Sequence, residues 1–168
     1  MSPHLLGLAA AAVTLAADQA SKLTMLRFTG EAGAPPFALG PFVDLTLTWN
    51  PGISYSLFPA HDAAGRLVLL GFTALAVAVL GVWLWRARSA ALALGLGAIM
   101  GGALGNACDR IAYGKVADFI HLHIGGFSPF GVNNMADIAI FAGVALLLYD
   151  SFFGAASSGH GGSASLRL

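Results

Sequence analysis

The sequence predicts a mainly helical membrane protein, with four transmembrane helices and a small β-sheet outside the lipid. Three observations carry this. Hydrophobic residues make up 57% of the 168-residue chain and charged residues only 10%, whereas soluble domains carry about 25% charged residues. The apolar residues gather into runs close to the roughly 20 residues that a helix needs to cross a bilayer. The long loop between the first two runs alternates polar and apolar residues with the period of a strand. The length fits a single domain. A net charge of zero gives no sign of a nucleic-acid partner or of a polybasic contact with lipid.

The first span is expected at about residues 4–26. Its run "SPHLLGLAAAAVTLAA" ends at Asp18, but the apolar pattern resumes through Leu23, Met25 and Leu26. A secretory signal peptide cleaved near Ala16 and Ala17 is the rival reading. The run lacks a basic leading segment and its pattern passes the cut, so an uncleaved span is favoured. The following loop holds "VDLTLTWNPGISYSLF". Asp44, Thr46, Thr48 and Asn50 alternate there with Leu45, Leu47 and Trp49, the pattern of a half-buried strand, and Pro51-Gly52 forces a turn. Trp49, Tyr55 and Phe58 suit the depth of a membrane interface.

The second span, about 67–85, lies between Arg66 and Arg86; the third, about 89–108, lies between Arg88 and Asp109. Arg86–Arg88 makes a tight turn between them. Gly101, Gly102 and Gly105, in "GGALG", form a small-residue pattern that lets helices approach closely, not a phosphate loop. Cys108, the only cysteine, excludes an internal disulfide and is read as buried packing. After a medium loop, about 111–133, the fourth span covers about 134–153. Residues 1–153 are thus expected to form one membrane domain. The Gly/Ser-rich tail 154–168 is expected to be disordered.

Successive spans alternate direction, which brings particular helix ends together. Asp18 and Lys22 near the end of the first span share a face with Asn106, Asp109 and Arg110 closing the third, and with Asn134 and Asp137 opening the fourth. The opposite face holds Arg86, Arg88 and Asp150. Asp18 and Lys22, i and i+4, lie on one side of a helix, as do Asn134 and Asp137 at i and i+3. Any one pair could be a structural ion pair or an interhelical amide contact. Together, ionisable groups concentrated at one membrane face favour function. Charge does not fix the orientation, because Arg27, Arg66, Arg110 and Lys115 offset Arg86 and Arg88.

Three carboxylates approach this face from the third span onward: Asp109, Asp118 in "KVADFIHLHIGG", and Asp137. Two close carboxylates in a low-dielectric pocket cannot both ionise easily and share a proton. The charged member can deprotonate a water while the protonated one polarises an amide carbonyl. That is aspartic-protease chemistry, and it needs no cofactor. Competing chemistries have less support. His121 and His123 alternate on a possible strand and could face a metal, but no HExxH accompanies them, and an interfacial pair is preferred; no metal is expected. Ser54 and Ser56 have no His–Asp arrangement around them. A non-catalytic four-helix membrane protein that binds a proton or small ligand at the polar cluster is the alternative.

Four motifs together resemble the lipoprotein signal peptidase family (signal peptidase II), bacterial intramembrane aspartyl proteases. They are "DQASK" (18–22), "NPGISYS" (50–56), "GGALGNACDRIAYGKVADFI" (101–120) and "NNMADIAI" (133–140). The resemblance implies Asp118 and Asp137 as the catalytic pair. It gives supporting roles to Asp18, Lys22, Asn50, Gly52, Asn106, Asp109, Arg110 and Asn134. Asp109, which the residues alone do not separate from catalysis, becomes structural. The implied substrate is a diacylglyceryl-modified prolipoprotein, cut just before its lipidated cysteine. The implied setting is the bacterial inner membrane, with both termini cytoplasmic, a periplasmic β-cradle, and a mobile loop over a site facing the periplasm. Membrane lipids are the other expected partners, and a monomer is expected. Two departures from the family pattern, Asn133 and the Ile53-Ser54-Tyr55 stretch, bear on pocket shape and not on the pair.

Overall fold

The computed structural model describes residues 1–29, 35–52 and 62–154. In chain order it comprises α1 (Pro3–Thr29), β1 (Phe37–Ala38), β2 (Val43–Asn50), α2 (Ala63–Trp85), α3 (Ala90–Tyr113), β3 (Val116–Leu122), β4 (Val132–Asn133) and α4 (Met135–Tyr149). A wider π-helical turn over Asp150–Gly154 extends α4. The expected readings of Ile53, Ser54, Tyr55, Ser56, Phe58 and the tail fall outside the described residues.

Local sequence sets the helix ends. Asp62 caps α2 by accepting a hydrogen bond from the Gly65 amide at 2.8 Å. Ser89 caps α3 by accepting from the Leu92 amide at 3.0 Å. Such caps are each worth about 1 kcal/mol. The third helix runs past the expected end at Cys108 to Tyr113, because the first residue to leave helical geometry is Gly114, at φ 75°. Gly114 takes this left-handed conformation without the steric penalty that other residues meet. Asp109 and Arg110 therefore sit inside the helix. The second helix begins at Ala63, four residues earlier than expected, at its Asp62 cap.

α3 is the central helix, and the small residues predicted for close approach are what let it be so. A Cβ added to Gly101 would stand 2.5 Å from the Ala11 carbonyl oxygen of α1. One added to Gly102 would stand 2.6 Å from the Ala136 carbonyl oxygen of α4. In lipid there is no hydrophobic drive between apolar helices, so close backbone packing supplies the attraction. Cys108 departs from its expected burial. It is exposed, and with Ile111, three residues on and 71% exposed, it occupies the outward stripe of α3, away from the glycine face.

α2, α3 and α4 with its extension are long and apolar enough to cross a membrane. Large apolar side chains on them point outward; Phe72, Trp85 and Phe141 are each more than two-thirds exposed. The strands form one antiparallel sheet in the order β1-β2-β3-β4. Val43–Asn50 is the strand that the alternation predicts, interrupted by an irregularity between Leu45 and Thr48. Trp49 lies between the Tyr113 ring, 5.4 Å away, and the Lys115 ammonium, 4.7 Å from its ring centre. The register sets Thr48 opposite Asp118 and Asn50 opposite Val116. In this way the loop after α1 reaches the strand after α3.

Candidate active site

The polar residues of α1, α3 and α4 meet where the helices touch the sheet, in two connected layers. The inner layer centres on Lys22, only 2% exposed. Its Nζ lies 2.8 Å from Asp18 Oδ2, 3.0 Å from Asp109 Oδ2 and 2.9 Å from Asn106 Oδ1. Asp18 and Asp109 are also fully buried. Gln19 Nε2 bridges them, at 3.2 Å from Asp18 Oδ2 and 3.0 Å from Asp109 Oδ1. Each carboxylate takes one further bond from a backbone amide: Ala136 donates to Asp18 Oδ1 at 2.9 Å, and Ala117 donates to Asp109 Oδ2 at 3.1 Å.

These two amides belong to the residues immediately before Asp137 and Asp118. Asp18 thus pins the first turn of α4, where the helix dipole favours a negative charge, and Asp109 pins the start of β3. Lys22 joins both anchors. Gln19 stands inside "DQASK" and joins this layer without an expected role of its own. Its position three residues before Lys22, on the same helix face, was the available signal.

The outer layer holds the two remaining carboxylates. Asn134 caps α4 in a reciprocal capping box with Asp137. Its Oδ1 accepts from the Asp137 amide at 3.0 Å, and its own backbone amide donates to Asp137 Oδ2 at 3.2 Å. The side-chain Nδ2 donates to Asp118 Oδ1 at 2.6 Å and to Asn106 Oδ1 at 3.1 Å. One buried residue therefore bonds both carboxylates. Asn106, its oxygen taken by Lys22 and Asn134, turns its Nδ2 to Asp137 Oδ1 at 3.0 Å. Asn50 Oδ1 accepts from the Gly52 amide at 2.9 Å, which orients its Nδ2 toward Asp118 Oδ2 at 3.0 Å. Arg110 donates to the Gly52 carbonyl at 2.6 Å and to the Asn106 carbonyl at 3.2 Å. Its buried Nε has no partner among the described residues.

Every residue picked from the sequence for this site lies in one of the two layers. Asn133 does not join either. Its side-chain amide donates to the Phe130 carbonyl at 2.9 Å, tying down the turn before β4. Burial, and after it the nearby charge of Asp137, pushes the Asp118 carboxyl up to about 7. The hydrogen bonds from Asn50 and Asn134, and the charge of Lys22, oppose that rise.

Asp118 and Asp137 both line a cavity of about 810 Å³. Asn50, Asn106 and Arg110 complete its polar end, and no histidine or cysteine lines it among the described residues. Its walls are apolar: Leu69 and Phe72 from α2, Ile138 and Phe141 from α4, Ile120 and Leu122 from β3. The arrangement offers two carboxyl groups and several amide donors at the head of a greasy groove. It is suited to acid–base work on a polar bond carried by an apolar molecule.

Fold and site together define a helical membrane protein built around a pair of carboxyl groups, one buried and one half-buried. Two solved structures, each of a bacterial membrane enzyme determined by the in meso method, share this fold. One, at 2.3 Å resolution, has a TM-score of 0.78 at 22% identity and covers 95% of this chain and 94% of its own. The other, at 1.9 Å, has a TM-score of 0.74 at 23% identity, covering 88% and 92%. The family model described as signal peptidase (SPase) II matches residues 10–153. A lipoprotein signal peptidase of Methylocella silvestris is 54% identical over 162 residues, covering 96% of this chain and 94% of that protein. One of Beijerinckia indica is 53% identical over 152 residues, covering 90% of each. The chain belongs to the signal peptidase II family. It is a protease of a bacterial membrane, and the non-catalytic alternative is set aside.

Proposed function

We propose that the chain removes signal peptides from diacylglyceryl-modified prolipoproteins, cutting just before the lipidated cysteine, with Asp118 and Asp137 as the catalytic dyad. One observation carries the assignment: Asn134 hydrogen-bonds both carboxyl groups at the polar head of an apolar cavity. The dyad shares one proton. The ionised carboxylate takes a proton from water, whose oxygen attacks the scissile carbonyl carbon. The protonated partner gives its proton to the carbonyl oxygen. Collapse of the tetrahedral intermediate breaks the C–N bond as one dyad proton passes to the leaving nitrogen and a hydroxyl proton of the intermediate returns to the other carboxylate, which restores the shared proton. No metal or cofactor enters these steps. Asp18, Lys22, Asn50, Gly52, Asn106, Asp109, Arg110 and Asn134 hold the dyad in place.

The cavity favours a lipidated substrate. Phe72 and Phe141, both lining it, are also exposed on the lipid-facing sides of α2 and α4, a route by which acyl chains could enter sideways. α1 serves as a fourth span. Its 27 residues extend about 40 Å, and Asp18 and Lys22 point inward at α3 and not at lipid. Residues 1–153 form one domain in the inner membrane as a monomer. Its termini are cytoplasmic, and the dyad and sheet face the periplasm. The test uses the purified full chain in mixed micelles with two forms of one prolipoprotein, diacylated and unmodified. The diacylated form should be cut before its cysteine while the unmodified form stays intact. Equal cutting of both would remove the lipid from the reading.

The Asp118 carboxyl near 7 gives the reaction a pH dependence with a definite sign. Below about 7 the pair keeps its shared proton; above it that proton is lost, and with it the acid that polarises the carbonyl. The processing rate is expected to fall about tenfold per pH unit above the apparent pKa, which belongs to the pair. A rate profile measured from pH 6 to 9 checks this, and a flat profile would contradict the shared proton.

A further inference from the structure

The sheet carries a second cluster on the side away from the cavity. Along β3, Asp118, Ile120 and Leu122 line the cavity, so the alternation turns His121 to the opposite face, and His123 follows at the strand's end. Asp44 of β2 is the register partner of His121. The His121 and His123 rings stack with centroids 5.2 Å apart. Asp44 Oδ2 lies 3.0 Å from His123 Nε2 and 3.9 Å from His121 Nδ1. One ligand atom from each of the three residues falls within 4.8 Å of the other two. Ligand atoms around a tetrahedral Zn²⁺ stand about 3.3 Å apart, so the observed separations bracket what an ion needs.

The orientation of His123 supplies the independent observation. Its Nδ1 lies 3.3 Å from the Gly125 carbonyl oxygen. A carbonyl can only accept, so Nδ1 donates in this contact and Nε2 is the ring nitrogen that remains for another partner. That nitrogen is buried. Although Asp44 Oδ2 is 3.0 Å away, the two are too far out of line for a hydrogen bond, and Nε2 has no hydrogen-bond partner among the described residues. A metal ion bound to both atoms would sit off the line joining them, so the misalignment that spoils a hydrogen bond suits coordination. A ligand histidine whose other nitrogen donates to a backbone carbonyl is also the usual arrangement that fixes its tautomer.

We infer that Asp44, His121 and His123 form a binding site for a borderline divalent cation, Zn²⁺ being the best fit to two imidazoles and a carboxylate. The ion clasps β2 to the end of β3, with a fourth position open to water. All three side chains are partly exposed, between 19% and 29%, which gives an ion access from solvent. The site lies back to back with the dyad and contributes a brace to the strand that carries Asp118, not a step in the reaction.

The test is a Zn²⁺ titration of the full chain, purified without a histidine tag, in competition with a chromogenic chelator. One equivalent of Zn²⁺ should bind and raise the melting temperature. H123A and D44N should each lose roughly 100-fold in affinity, melt as the parent does in EDTA, and retain its EDTA processing rate. Replacing the other three histidines, His4, His61 and His160, should leave the affinity unchanged, as should D118N/D137N. If H123A is poorly folded, H121Q gives the same reading with an amide of similar size. Absence of a bound equivalent, binding that survives H121A/H123A, or binding that disappears with D118N/D137N would each overturn the site.

Discussion

Asp118→Asn and Asp137→Asn are each expected to lower prolipoprotein processing by about 10³-fold or more while the protein remains folded. General acid–base catalysis by a positioned group contributes about 10²- to 10⁴-fold, and a dyad that shares its proton loses both roles when either member is neutral amide. The structure also says what else each change does. Both oxygens of Asp118 accept side-chain amide hydrogens, from Asn50 and Asn134. Both oxygens of Asp137 accept as well, from Asn106 and the Asn134 backbone. An asparagine at either position turns one acceptor into an NH₂ group facing a donor, a local loss of about 1–3 kcal/mol. A modest fall in melting temperature should therefore accompany the loss of activity, and the two must be measured together. Parental rates from either folded variant would end the dyad assignment.

Much of this arrangement was legible because the relevant signals are local. Hydropathy marks the spans, and i, i+3 and i, i+4 spacings place Asp18 with Lys22 and Asn134 with Asp137. Alternating helix direction then collects these groups at one end. What could not be read lies in contacts between distant segments. Nothing in the loop around Asn50 states that it will pair with β3 and hand its amide to Asp118, 68 residues away. That depends on a strand register set by tertiary packing. A charge that follows an apolar run, as Asp109 does, reads in sequence as the end of a span. Asp109 instead stays helical, since Lys22, Gln19 and the Ala117 amide satisfy it inside the protein. Cys108 is exposed for a related reason. A residue among glycines on a buried helix can still point outward, and only the helical phase of Gly101 and Gly105 decides it.

Lys22 provides the second large effect, because its ammonium is the charge that couples the two anchored segments, with the neutral Gln19 amide beside it. Lys22→Met keeps the length of the side chain and removes its charge. It leaves Asp18 and Asp109, 0% and 1% exposed, facing each other with only Gln19 and two backbone amides as donors among the described residues. Breaking a buried ion pair from one side costs about 3–5 kcal/mol, so the variant should melt far below the parent and fail to process substrate. Asn106 also loses the ammonium that fixes its amide, and Asp137 loses the orientation that Asn106 provides. Adding Asp109→Asn to Lys22→Met removes one of the unpaired charges. If the buried charge is the cause, that double variant should recover part of the stability, with a coupling of about 1–3 kcal/mol between the two positions. Activity should not return with it, because Asp109 and the Ala117 amide hold the strand that bears Asp118. A Lys22→Met protein as stable as the parent would mean that the cluster is not what ties α4 and β3 together. Recovery of stability without activity would show that the Asp18–Lys22–Asp109 cluster positions the dyad as well as holding the fold.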